Sequence, residues 1–229
     1  MATAQRSAPP SRLTRERILV AVTELLESTG SDGVSTRTIG EALDVHPTAL
    51  YRHFRDMDEL LREAADGILA SVAHADETEA GLDSLDAAAL LCRRIRALLL
   101  SHPGAARVMA SGPSRMANER ALTDRLLGLL TDAGLPDDEV ARAYHALIEY
   151  TVGSAAVDAS YADETGDEEE ARHRGWRADY FAASPTDFPH TARFAAGLYP
   201  PMDEQFDYGL DLIIEGLRER IRRAGAGAH

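Results

Sequence analysis

The stretch STRTIGEALDVHPTALYRHFR, residues 35–55, is out of keeping with the chain around it. The 229 residues carry 24 Arg and no Lys against 38 Asp and Glu, a formal net charge of −14. Yet residues 45–55 hold two Arg, two His and a Tyr, and no carboxylate at all. The spacing is helical: Ile39, Ala42 and Leu43 fall on one apolar stripe. Ser35 is placed to accept hydrogen bonds from the free amides that open such a helix. Asp44 and Val45 leave only a tight connection, and Pro47 suits the first position of the next helix, where its missing amide costs nothing. The pattern predicts helices over 36–43 and 47–54.

Working outward, Ile18, Val22, Leu25 and Leu26 form an earlier stripe, separated from the second by a breaker-rich segment at 28–33. Downstream, Asp56 with Glu59 three residues on is a variant of the capping box, so a further helix starts there and runs toward Ala75. Leu50 and Phe54, four apart, would point back at the earlier stripes. Thr48, Tyr51, Arg52 and His53 would then share the polar side of the 47–54 helix. Two short helices joined by a tight turn form the helix-turn-helix arrangement that enters a DNA major groove. A carboxylate there would repel phosphates, whereas Arg can bond guanine edges and Tyr or Thr can hold phosphates. The bland alternative is a solvated helical face. The candidate DNA-contacting residues are Thr36, Arg37, His46, Pro47, Thr48, Ala49, Tyr51, Arg52, His53 and Arg55, with Arg52 as the base reader.

Charge is distributed to match. Residues 1–60 hold seven Arg against nine acids, a net of −2, so the remaining 169 residues carry −12 of the total. Only the first quarter could approach a polyanion cheaply. From residue 82 the pattern stays helical, with apolar stripes over 85–100, 122–130 and 140–157 and no alternating strand pattern. The acidic run at 163–170 and the Pro- and Gly-containing residues beyond it predict a long, partly disordered insertion over 160–202. A last helix places Phe206, Leu210, Ile213, Ile214 and Leu217 on one stripe, as core or as a subunit interface. The expected class is all-α. A flexible arm (1–12) precedes a helix-turn-helix DNA-binding domain of three short helices (13–60), followed by a larger helical regulatory and dimerisation domain (61–229).

Several classes are disfavoured. Cys92 is the single cysteine, which leaves no disulfide framework within the chain and no multi-cysteine metal site. No apolar run approaches the ~20 residues that span a bilayer, and the opening residues lack the apolar stretch of a secretory signal, so the expected location is cytoplasmic, with no membrane partner. A glycine-rich phosphate loop, a nucleophile elbow and a His-Glu-x-x-His zinc motif are all missing, so no enzyme is expected.

The residues ILVAVTELLESTGSDGVSTRTIGEALDVHPTALYRHFRDMDELL resemble the amino-terminal domain of TetR-type transcriptional regulators, with Gly33, Thr36, Ile39, Ala42, Val45, Leu50, Tyr51, Phe54 and Leu60 at family positions. LLSHPGAARVMASGPS and FDYGLDLIIEGLRERI are similar to segments of the tetracycline-repressor branch. The resemblance implies a ligand-responsive regulator, a repressor released from a pseudo-palindromic double-stranded DNA operator by a small-molecule effector. It also implies a homodimer through helices near 138–157 and 203–223, and an effector cavity in the regulatory domain. Where the tetracycline-binding members use polar and His groups to hold a drug-bound metal, this chain has Ala73, Leu91, Ile95 and Met109. These offer no hard metal ligand, so the resemblance carries no metal and no cofactor to this chain, and points to a more hydrophobic effector. With Arg125, Tyr144, His145 and Trp176 they make up the candidate ligand set. His145 and Glu149, four apart, would suit a metal pair or a polar ligand anchor, but core or interface packing is the favoured reading. Tyr144, Trp176 and Phe181 can line an aromatic wall or simply pack. Arg93, Arg94 and Arg96 can steer an acidic effector or face solvent. The alternative function is a helical sensor or carrier whose amino-terminal domain no longer binds DNA.

Overall fold

The computed structural model describes residues 12–75, 81–161 and 164–227, and among these every regular element is a helix. The arm expected over 1–12 falls, except for Arg12, outside the described residues. Helix α1 (Arg15–Thr29), α2 (Thr36–Leu43), a short 3₁₀ helix (Pro47–Arg52) and α3 (Met57–Ala73) form the amino-terminal unit. Helices α4 (Ser84–Leu100), α5 (Pro103–Ala110), α6 (Ala117–Asp132), α7 (Asp137–Asp158), α8 (Gly166–Phe181), α9 (Pro189–Phe194) and α10 (Met202–Gly227) follow. None of the described helices is long and apolar enough to cross a membrane.

Two apolar cores organise the chain. Ile18, Val22, Leu26, Ile39, Leu50, Phe54 and Leu60 fill the first, bringing together the stripes read from the sequence. The second is larger and is built from α3, α4, α6, α7 and α10, with Leu91, Ile95, Leu99, Leu126, Leu130 and Leu147 almost fully enclosed. Two helices serve both. Helix α3 gives Leu60, Ala64 and Ala65 to the first core and Leu69 and Val72 to the second. Helix α5 gives Ala105 and Val108 to the first and Ala106 to the second, while Met109 packs against both. At its start, Gly104 lies against α1 so closely that a Cβ would stand 2.4 Å from the Leu26 carbonyl oxygen.

Ion pairs fasten α10 to the rest. Arg93 donates to Asp207 at 2.7 Å and Asp211 at 2.9 Å, and the buried Arg96 to Asp158 at 2.8 Å and Asp203 at 2.6 Å, with its guanidinium over the Phe206 ring. Neither Arg93 nor Arg96 is therefore available to steer an acidic effector, nor is Arg96 a solvent-facing residue. Arg218 on α10 reaches back to Asp83 and Asp86 at the start of α4.

The segment 160–202, expected as a long, partly disordered insertion, carries α8 and α9 among its described residues. The acidic run that suggested disorder supplies the first turn of α8, where Asp167, Glu168 and Glu169 face the free amides of the helix start. Thr165 and Glu168 close a reciprocal capping box there. The buried His173 and the half-buried Trp176 and Tyr199 pack ring against ring, tilted or edge-on, and the Arg172 guanidinium lies over Tyr161 and Trp176.

Candidate DNA interface and ligand cavity

The presenting helix is built by local chemistry. Ser35 accepts the Thr38 amide at 3.1 Å and Thr38 Oγ1 accepts the Ser35 amide at 2.9 Å, a capping box that starts α2. Asp44 ends α2 in the left-handed region at φ 54°, which turns the chain and lets the Val45 amide return to the Gly40 carbonyl at 2.9 Å. Gly40 is required at this turn, since a Cβ would meet the Val45 carbonyl oxygen at 2.9 Å. His46 Nδ1 then accepts the Thr48 amide at 3.3 Å and meets the Thr48 hydroxyl at 2.8 Å, so His46 caps the next helix while Pro47 opens it.

That next helix is a 3₁₀ turn ending at Arg52, where an α-helix over 47–54 was expected. The difference is local, because the anchors still work: Leu50 and Phe54 are buried at 2% and 3% exposure. Thr48, Tyr51 and Arg52 are left exposed, with His53, Pro47, Ala49 and Thr36 half-buried beside them. Arg52 has no ion-pair partner among the described residues. Arg37 is paired with Glu41 at 2.8 Å and Arg55 with Asp56 at 2.9 Å, so each would have to exchange a carboxylate for a phosphate. The Asp56 carboxyl is held below its ordinary range by the Glu59 amide first and by Arg55 second.

Arg15 is the structural keystone that periodicity did not single out. Its guanidinium lies 4.1 Å from the Phe54 ring centroid, bonds Glu63 (Nε to Oε1, 2.8 Å) and Glu59, and donates to the His53 carbonyl. The carboxyl-terminal end of the presenting turn is thereby fixed to α1 and α3.

A cavity of about 310 Å³ opens in the second unit, within the range of small-molecule sites. Its walls come from Leu69 on α3, Ile95 on α4, Met109 on α5, Leu122 and Leu126 on α6, and Ile148 and Val152 on α7. Its polar groups are Glu119, Thr123, Tyr144, His145 and Glu149. Thr123 Oγ1 donates to Glu119 Oε1 at 2.8 Å and lies 2.8 Å from the Tyr144 hydroxyl. Burial pushes the Tyr144 phenol above its ordinary value.

Four of the eight ligand candidates, Ile95, Met109, Tyr144 and His145, line this cavity. The other four do not. Leu91 lies one turn before Ile95 on α4 and is fully enclosed in the core. Ala73, at the end of α3, packs on that core, and Arg125 stands half-buried on α6 away from the wall. Trp176 belongs to the α8 cluster instead, with its ring centroid 5.0 Å from that of Tyr199. His145 Nδ1 and Glu149 Oε1 are 3.9 Å apart and exposed, and no group of three or more metal-ligating side chains occurs among the described residues. Glu119 and Thr123 carry no motif that singles them out, although their four-residue spacing beside Leu122 and Leu126 puts both near one helical face.

Between the two sites lies Asp66, a buried carboxylate on α3. It accepts from the Ser114 hydroxyl at 2.7 Å, the Glu119 amide at 2.9 Å, and the Asn118 amide and side chain at 3.2 Å each. Helix α6 has no side-chain cap of its own, so Asp66 caps it from a different helix.

An exposed, acid-free helical turn on a capped helix-turn-helix, joined through shared helices to an apolar cavity, defines a DNA-binding regulator with a ligand-receiving domain. Residues 18–64 match the family model for bacterial regulatory proteins of the tetR family, and residues 78–221 match that for the tetracyclin repressor-like C-terminal domain. The class C tetracycline repressor protein of Escherichia coli is 31% identical over 218 residues, spanning 93% of this chain and 93% of its own. An HTH-type transcriptional regulator of Saccharopolyspora erythraea is 27% identical over 209 residues, 90% of this chain and 84% of its own. The structure of the TetR family protein ActR of Streptomyces coelicolor in complex with actinorhodin superposes with a TM-score of 0.79 at 27% identity, covering 95% of this chain and all of that one. The chain belongs to the TetR family of bacterial transcriptional regulators.

Proposed function

We propose that this regulator is a homodimeric repressor that grips a pseudo-palindromic operator with its two Pro47–Arg52 helices and leaves it when a small, largely apolar effector fills the α3–α7 cavity. The observation that carries the proposal is the sharing of α3 and α5. Met109 packs against the amino-terminal core, packs against the regulatory core and lines the cavity. An effector that binds best when the presenting helices are wrongly spaced must weaken DNA binding by the same coupling free energy. Tetracycline repressors and the actinorhodin-bound ActR among the relatives support this reading. With Ala73, Ile95 and Met109 in place of metal-holding side chains, the effector needs no metal.

Exposed Val157 on α7, and Tyr208 and Leu212 on α10, supply the apolar surface for a four-helix interface between two copies. Catalysis is not part of the proposal, and the place of action is the cytoplasm. Filling the cavity tests the reading. Ile148→Trp, on the cavity wall, should bind operator like the wild type in a gel-shift titration and fail to release it with any compound that releases the wild type. Release at wild-type effector concentrations would place the effector elsewhere.

A further inference from the structure

The hydrogen-bond directions inside the cavity restrict what can enter it. A carboxylate only accepts, so the single Thr123 hydroxyl proton goes to Glu119 Oε1 at 2.8 Å. Tyr144, 2.8 Å from Thr123 Oγ1, must then donate its own proton to that oxygen. The relay runs from Tyr144 through Thr123 to Glu119, and its hydrogens are spent within it. What remains for a ligand is the lone pairs of the tyrosine and the carboxylate. Glu119 Oε2 takes only a long bond, 3.2 Å, from the Arg115 amide. A second carboxylate, Glu149, stands at the rim beside His145. Among the described residues that line the cavity there is no Arg, and His145 beside Glu149 is the side chain that keeps an N–H to donate. The polar end therefore offers acceptors and negative charge, and the remaining walls are aliphatic and aromatic.

We infer that the effector is an aromatic or polycyclic amine, bound as its ammonium form with the cation directed at Glu119 and the ring system between Ile95, Leu126 and Ile148. The inference rests on this cavity being the effector site. Carboxylate and phosphate compounds are disfavoured by the same geometry, because they bring like charge to Glu119 and Glu149, and only the exposed His145 beside Glu149 has an N–H to offer them. A neutral alcohol of equal shape keeps a donor and loses the charge, so it binds more weakly.

The test uses one ring system with three heads: aminomethylanthracene, hydroxymethylanthracene and anthracene carboxylate, titrated by fluorescence into the full-length protein without DNA. The amine should bind at least about 10-fold more tightly than the alcohol, and the carboxylate should not bind measurably. Glu119→Gln should erase that preference, and Ile148→Trp should remove binding of all three. Equal or tighter binding of the alcohol, removed by Ile148→Trp, would overturn the amine inference and leave the cavity as effector site. Amine binding unaffected by Ile148→Trp would overturn both. The wild-type comparison among the three heads decides the inference even where Glu119→Gln does not fold.

Discussion

Replacing Asp66 by Ala removes a carboxylate that receives four donors, of which the Asn118 side chain keeps its bond to the Asp66 backbone carbonyl at 2.9 Å. The carboxylate is 5% exposed and receives the Ser114 hydroxyl, the Asn118 and Glu119 amides and the Asn118 side chain, all within 3.2 Å. Hydrogen bonds to a charged acceptor are each worth roughly 1.5–3 kcal/mol, but the sum of four overstates the loss. Two of the donors are amides of the first turn of α6, which water can reach once the site opens, and burying the carboxylate itself carries a desolvation cost that the substitution relieves. The expected net loss is about 3 kcal/mol, a drop of ~6–12 °C in thermal midpoint for a chain of this size. Asp66→Asn keeps two acceptor sites and loses the charge, so about half that loss is expected. Urea unfolding followed by far-ultraviolet circular dichroism, at one fixed protein concentration, measures both variants. An Asp66→Ala protein within about 0.5 kcal/mol of the wild type, the range of ordinary surface changes, would refute the view that Asp66 joins α3 to α6.

Two further substitutions probe other contacts. Gly104→Ala puts a Cβ 2.4 Å from the Leu26 carbonyl oxygen, so it should cost about 1–3 kcal/mol and weaken operator binding by shifting α5 against α1; wild-type stability in the same urea assay would show that the gap closes freely. Asp83 caps α4 and pairs with Arg218, and its carboxyl is held at about 2 instead of 3.8, first by the Asp86 amide and then by Arg218. A depressed folded-state value means that its contribution is complete above the ordinary value and disappears as pH falls toward about 2. The stability gap between wild type and Asp83→Asn should therefore shrink between pH 4 and pH 2, modestly because the side chain is half exposed; a gap independent of pH there would contradict the assignment.

What the sequence made legible is local. The Ser35 cap, the apolar stripes, Pro47 at a helix start and the acid-free window are all encoded within a few residues of where they act, and each appears in the structure at its expected place, except that Ala42, read onto the second stripe, is exposed. What it hid depends on distant partners. Asp66 looks like any acid in an amphipathic helix, because its partners lie 48 to 53 residues away. Arg15 likewise meets Glu63 across 48 residues. The acidic run that opens α8 has a disordered composition, and only the Thr165 cap and the packing of His173 and Trp176 against Tyr199 make it the start of a helix. Only four of the eight ligand candidates line the cavity, for a related reason. Apolar periodicity puts Leu91 and Ile95 on the same side of α4, but only the neighbouring helices decide which of them meets the core and which the cavity.

Selection of bound sequences from a pool of random duplexes, by the purified wild type and by Arg52→Ala in parallel, tests the central claim most directly. The wild type should enrich a pseudo-palindrome whose half-site centres lie about one helical turn apart or a multiple of it, and Arg52→Ala should lose about 1–3 kcal/mol and relax one base pair in each half-site. No enrichment by the wild type at low salt, or an Arg52→Ala motif indistinguishable from it, would contradict the assignment of the Pro47–Arg52 helix as the reading element.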